Sequence, residues 1–180
     1  GPTLKIAFHS IVGYRWYQWL HGYEIEGVSY GGRFPGEIDK TIGHSYALTR
    51  PSRDDRYLAS LLCQLVEKMG KRLRAKNFVT TGIHVSCNLE DHRYWHRGQK
   101  LHTQLYEDQE LFRAAWNILD KRPKEVGVTI LAVNSFNLEP ANVVQTSFLS
   151  DTYAQRQLAL AVDTINNRWG ERSITSALTL

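Results

Sequence analysis

The sequence predicts an α+β domain in which strands and helices follow one another as β-α-β-β-α-β between Lys40 and Phe136. Three observations carry that expectation. Residues 79–89 alternate, with Ile83, Val85, Cys87 and Leu89 on one side and Gly82, His84, Ser86 and Asn88 on the other. That is the pattern of a strand with one buried and one wet face. Leu58, Leu61, Leu62, Leu65, Met69 and Leu73 recur at helical spacing and make one apolar stripe. VGVTILAV, residues 126–133, is an apolar run of strand length. A four-stranded sheet with two helices on one face satisfies all three, and its other face is left to solvent or to a partner.

The elements follow in order. Gly1-Pro2 matches the scar of a cleaved expression tag, so the chain reads as a piece of something larger. Residues 4–23 are strongly aromatic, and Val12, Trp16, Trp19, Leu20 and Tyr23 follow helical spacing up to a stop at Gly22. GVSYGGRFPG, residues 27–36, has linker composition. KTIGHSYAL, residues 40–48, forms the first strand. Ser52, with Asp55 three residues on, is the expected N-cap of the first long helix. Gly70 within that helix costs about 1 kcal/mol relative to Ala and marks a bend or a close approach. Residues 95–103 form a polar strand, and residues 108–119 a second helix with Leu111, Ala115, Ile118 and Leu119 inward, stopped by Pro123. A last helix spans residues 153–169, with Leu158, Val162, Ile165 and Trp169 in register and Gly170 at its end.

Composition narrows the function classes. The chain has 180 residues, 22 Lys+Arg against 18 Asp+Glu, a net charge of +4 and 42% hydrophobic residues, enough for one domain with a real core. Cys63 and Cys87 are too few for a disulfide framework, which favours a reducing, cytoplasmic setting. No apolar run approaches the length of a membrane span. Nucleotide-binding glycine loops, HExxH and GxSxG are all absent. The carboxylate groups at Asp54-Asp55 and at Glu107, Asp108 and Glu110 sit at helix starts, where they complement the helix dipole. His92 and His96 have a familiar zinc spacing, but in what reads as a turn feeding a strand.

The cations are more informative. Residues 40–100 hold twelve Lys+Arg against five Asp+Glu, a local excess of +7. A solvated surface is one reading. The other is a phosphate track, with Ser45, Thr80, Thr81, His84, Ser86, Arg93, His96 and Arg97 as short or forked donors near the open sheet face. Gln145-Thr-Ser147-Phe148-Leu149 has what a short docking peptide needs, an amide for orientation and an apolar pair for a pocket.

These motifs together resemble the C-terminal half of the Y-family translesion DNA polymerases, the ImpB/MucB/SamB group. YRWYQWLHG (14–22) is similar to the end of the last thumb helix, and KTIGHS (40–45) to the Arg-Lys-Ser-Ile-Gly-His opening of the little-finger domain. Val126-Gly-Val128 is similar to the Ile-Gly-Val core of its last strand. Gln145 to Leu149 resembles the bacterial sliding-clamp motif, and INNRWG (165–170) with Ser173-Ile174 a tail found in Gram-positive members. Asp39 and Lys124-Glu125 depart from basic positions of the family, and Thr146 and Phe148-Leu149 from the usual Gln-Leu-Ser/Asp-Leu-Phe.

The resemblance implies a thumb-helix remnant over residues 1–30, a linker at 31–39, a little-finger-like DNA-binding domain at 40–138 and a clamp-binding, helical tail at 139–180. It implies primer–template DNA and the bacterial sliding clamp as partners. Lys40, Ser45, His84, Arg93 and Arg97 are the expected DNA contacts, and Gln145, Ser147, Phe148 and Leu149 the expected clamp contacts. No catalytic residue and no cofactor is expected here, because the Mg²⁺-binding palm of the parent polymerase would lie upstream. The rival reading is a protein-interaction module that recruits another subunit through the aromatic N-terminal helix and the tail.

Overall fold

The computed structural model describes residues 14, 17, 18, 20–22, 40–141, 152–171 and 173–177. The chain divides into two compact units, Gly1–Ile38 and Asp39–Leu180. In the first, Tyr14, Tyr17, Gln18 and Leu20 are helical, and His21 N–H donates to the Tyr17 carbonyl at 3.2 Å. Gly22, at φ +74°, closes the turn with a backbone angle that only glycine takes freely. The linker at 31–39 and the rest of the aromatic opening lie outside the described residues.

The second unit contains β1 (Thr41–Ser52), α1 (Asp55–Ala75), β2 (Phe78–Leu89), β3 (Tyr94–Leu105), α2 (Asp108–Leu119), β4 (Val128–Pro140) and α3 (Thr152–Trp169). The order is the expected β-α-β-β-α-β, followed by one more helix. All neighbouring strands are antiparallel, in the sheet order β1-β4-β2-β3. α1 and α2 cover one face. Leu58, Leu62, Met69, Leu111 and Leu119 meet Ile83, Val85, Leu131 and Val133 there in a continuous core.

Three local differences from the sequence reading have physical causes. The N-cap of α1 is Asp54, whose carboxylate accepts from Arg56 N–H at 2.9 Å, while Ser52 remains in β1 and accepts from Asp54 N–H. β1 runs through Pro51 because it is an edge strand with a bulge between Ala47 and Ser52, where a missing N–H costs no ladder bond. β4 continues seven residues beyond Val133 because its polar residues are used: buried Ser135 Oγ donates to the Ile42 carbonyl at 2.8 Å.

Gly70 marks a close approach. A Cβ there would overlap the Asp108 carboxylate and lie 3.1 Å from Arg74 Nη1. The Arg74 guanidinium is buried between helices and uses all five N–H groups. It donates to Asp108 at 2.7 and 3.1 Å, to Asp163 of α3 at 2.5 and 2.9 Å, and to the Tyr106 carbonyl at 3.3 Å. Burial alone would lower its pKa, but the hydrogen bonds it donates to Asp163 and Asp108 outweigh that and raise it. A second tie joins α1 to the residues after α3: the Glu67 carboxylate accepts from Thr175 Oγ1 at 3.1 Å and from Ser176 N–H at 3.0 Å. α3 therefore turns Asp163 and Asn166 towards the domain and leaves Leu158 65% and Trp169 71% exposed. Gly170, at φ +111°, ends it as expected.

Candidate nucleic-acid interface

Strand register decides which side chains share the uncovered face. Gly82, His84, Ser86 and Asn88 of β2 pair with Lys100, Gly98, His96 and Tyr94 of β3. On the other side the same four residues pair with Phe136, Asn134, Ala132 and Ile130 of β4. Thr41, Gly43, Ser45 and Ala47 of β1 complete the face across from those β4 residues. No carboxylate stands in any of these rows, and Lys100 is their one lysine or arginine. The surface is made of small residues, amides, hydroxyls and imidazoles.

The centre of this face is shallow because its glycines carry neighbouring rings. A Cβ at Gly82 would overlap the Phe136 ring, which lies over the strand pair. A Cβ at Gly98 would stand 3.3 Å from the His84 ring and 3.7 Å from Phe136. Thr80 Oγ1 donates to the Phe136 carbonyl at 2.6 Å and fixes that end of β4. Beside it, His84 Nε2 and His96 Nδ1 are 3.3 Å apart, and Tyr94 stacks on His96 at 5.2 Å between ring centroids. Partial burial, followed by the His96 charge, lowers the His84 pKa.

The expected DNA contacts separate on this frame. Ser45 and His84 lie on the open face. Lys40 is exposed just ahead of β1. Arg97 pairs with Val85, a core residue, so it belongs to the helix-bearing side and projects from the exposed edge strand β3. Arg93 sits at the β2–β3 turn, where its Nε donates to Asp91 at 2.6 Å. His92 occupies that turn at φ +64°, while His96 meets His84 across the sheet, so the two histidines of the zinc-like spacing serve different places. Gln145, Ser147, Phe148 and Leu149 lie outside the described residues.

Several of the twelve cations are engaged within the domain. Arg74 is sealed between two carboxylates, Arg53 pairs with Glu90 at 3.5 Å, and Arg72 Nη1 donates to the Gly43 carbonyl at 3.1 Å. Arg72 thereby braces the KTIGHS segment from below. Burial, and then Arg72 and Lys68, lower the pKa of His44 on that side. Lys124, in one departing position, donates to Asp120 at 2.6 Å and to Asp55 at 3.3 Å. Sequence spacing gave no signal for the Arg74 cluster, since its partners lie 34 and 89 residues away.

Among the described residues no three His, Cys, Asp or Glu side chains converge as metal ligands, and Asp108 and Asp163 meet on a guanidinium instead. They do not suit a pair of Mg²⁺ ions. Burial pushes the Cys63 thiol up to about 11 and the Cys87 thiol up to about 12, so both stay protonated at neutral pH. A cavity of about 640 Å³ opens between α1, α2 and α3, with Cys63, Glu67, Phe112, Val162 and Ile174 in its wall. No described helix is long and apolar enough to cross a membrane.

Residues 39–148 match the impB/mucB/samB family C-terminal domain. The chain belongs to the impB/mucB/samB family. The match begins one residue before Lys40 and takes in the whole sheet with α1 and α2. Family relatives include the DNA polymerase IV of Moorella thermoacetica, 29% identical over 159 residues, covering 86% of this chain and 39% of that protein. The DNA polymerase IV of Clostridium acetobutylicum is 25% identical over 179 residues, covering 98% of this chain and 44% of that protein. The impB/mucB/samB chain described here thus spans less than half the length of these curated relatives. Its fold is similar to that of Dbh DNA polymerase in an insertion ternary complex, with TM-score 0.50, 15% identity and 77% of this chain and 38% of that one covered.

Proposed function

We propose that this chain is the DNA-gripping and clamp-tethering portion of a lesion-bypass DNA polymerase. The observation that carries the reading is the open sheet face, four strands wide, with no carboxylate in its rows and with hydrogen-bond donors spread across it. Phosphates approaching it meet Ser45, His84 and Lys100, with Lys40 beside the first strand. Donors of this kind hold backbones without reading base edges, which suits an enzyme that follows any template. Arg97 reaches phosphates from the rim. Arg93 must first leave Asp91, and a solvent-exposed pair of this kind costs little to break. Membership of the impB/mucB/samB family supports the reading.

The nucleotidyl-transfer chemistry and its Mg²⁺ belong, in this proposal, to the palm of the parent polymerase. Titrating a primer–template duplex at rising salt tests the grip. The slope of log K against log salt should be about −0.9 for each neutralised phosphate, and a flat response defeats the reading. The tether is assigned to Gln145, Ser147, Phe148 and Leu149. Joint substitution Gln145→Ala and Phe148→Ala should abolish sliding-clamp pull-down while DNA binding persists, and surviving pull-down would remove the assignment.

A second reading, recruitment of another protein subunit, is favoured by the exposed Leu158, Ile165 and Trp169 on α3. It predicts saturable protein binding with no salt-sensitive DNA binding.

A further inference from the structure

The open face presents an electrostatic problem. Its rows hold no carboxylate, yet Lys100 is their one permanent cation, so any further positive charge within them must come from groups that titrate. The histidines that can supply it stand together. His84 from β2 and His96 from β3 place ring nitrogens 3.3 Å apart, a distance at which one ring's N–H meets the other's lone pair. We propose that the His84–His96 pair is a proton-coupled phosphate site: a DNA phosphate seated against it draws one proton onto the pair.

The surroundings support that reading. Each neighbouring row offers the pair something different, and none offers a carboxylate. β3 contributes Lys100 and the Tyr94 phenol, β4 contributes uncharged Asn134 and Phe136, and β2 contributes uncharged Gly82 and Ser86. No carboxylate in these rows favours an imidazolium before an anion arrives, while the partial burial of His84 and then the neighbouring His96 oppose it. One added proton preserves the bridge as a charge-assisted N–H···N bond. A second would set two like charges against each other, so the pair takes up one. Gly98 and Gly82 leave room above the rings, since any side chain at either would meet His84 or Phe136.

This inference rests on the DNA-gripping reading, and its test separates the two. The Kd for a primer–template duplex is measured at fixed salt near about pH 6 and about pH 8, for the chain and for a His84→Gln/His96→Gln variant. One linked proton gives up to about tenfold tighter binding per pH unit lowered. The chain should therefore gain up to about a hundredfold between the two conditions, and the variant should lose most of that gain, although other histidines remain in it. An unchanged ratio in the variant overturns the proposal. Steep salt dependence at the higher pH with no histidine-linked gain defeats this inference alone. Absence of salt-sensitive binding at both pH values defeats the DNA reading, and this inference with it.

Discussion

Replacing Asp163 by Ala should release α3 from the domain without unfolding the sheet. The variant removes two of the five bonds made by Arg74, those at 2.5 and 2.9 Å, and leaves the three to Asp108 and the Tyr106 carbonyl. The Arg74 side chain is 2% exposed, so the lost bonds are charge-assisted and largely shielded, each contributing about 1.5–3 kcal/mol. Water entering behind the lifted helix recovers part of this, leaving a loss of about 2–4 kcal/mol in docking. Among the described residues of α3 none belongs to the buried core cluster, so most of that loss should appear locally. Hydrogen exchange of the α3 amides reports it directly. A loss of about 3 kcal/mol speeds their exchange about a hundredfold, up to the limit set by the docking free energy, with the β2 and β4 amides nearly unchanged. Unchanged exchange in α3 would refute the role given to Arg74. Equal acceleration throughout the sheet would refute the idea that α3 is docked as a separate unit.

Other perturbations test other links. The Asp55 carboxyl is held below its usual range chiefly by the hydrogen bond from Arg122. Its contribution is therefore complete above the ordinary carboxylate pKa and lost as pH falls through the depressed value. Asp55→Asn should flatten the acid limb of stability below about pH 4 in urea melts. It should also cost about 2 kcal/mol at neutral pH, because the buried Arg122 loses its counter-charge. Gly82→Ala should displace the Phe136 ring, cost about 1–3 kcal/mol and shift the ring's NMR signals; an unmoved ring would contradict the packing described. Ser45→Asp puts a carboxylate on the open face, so DNA affinity should fall about tenfold at low salt while the melting temperature holds.

Periodicity was enough to read the covered side of the sheet. The alternation in residues 79–89 and the stripe from Leu58 to Leu73 fall on buried positions because one apolar face admits one register. Element ends were less legible. Ser52 and Asp54 are both sound caps, and the choice between them depends on how far β1 stays paired with β4. The site was legible in part. His84 and Ser45 follow from parity alone, but Arg97 shows its limit: within β3, parity fixes a side only once the register with β2 is known. The Arg74 cluster was invisible because a buried guanidinium between distant carboxylates leaves no local pattern. Its one trace was Gly70, unfavourable in a helix until the Asp108 carboxylate is seen against it.

The double anchoring of the chain beyond β4 has a mechanical consequence. Ala141 N–H is bonded to the Asn77 carbonyl at 2.8 Å, and α3 is pinned through Asp163. Two piers on the domain, Ala141 and α3, thus flank the ten residues between Ala141 and Thr152, which include the assigned clamp contacts. At about 3.4 Å per extended residue, the eleven steps from Ala141 to Thr152 keep every point between them within about 19 Å of one end or the other. A clamp seated at their midpoint would ride close against the domain and share its orientation. Cutting the Asp163 pier would lengthen the reach and give up that alignment.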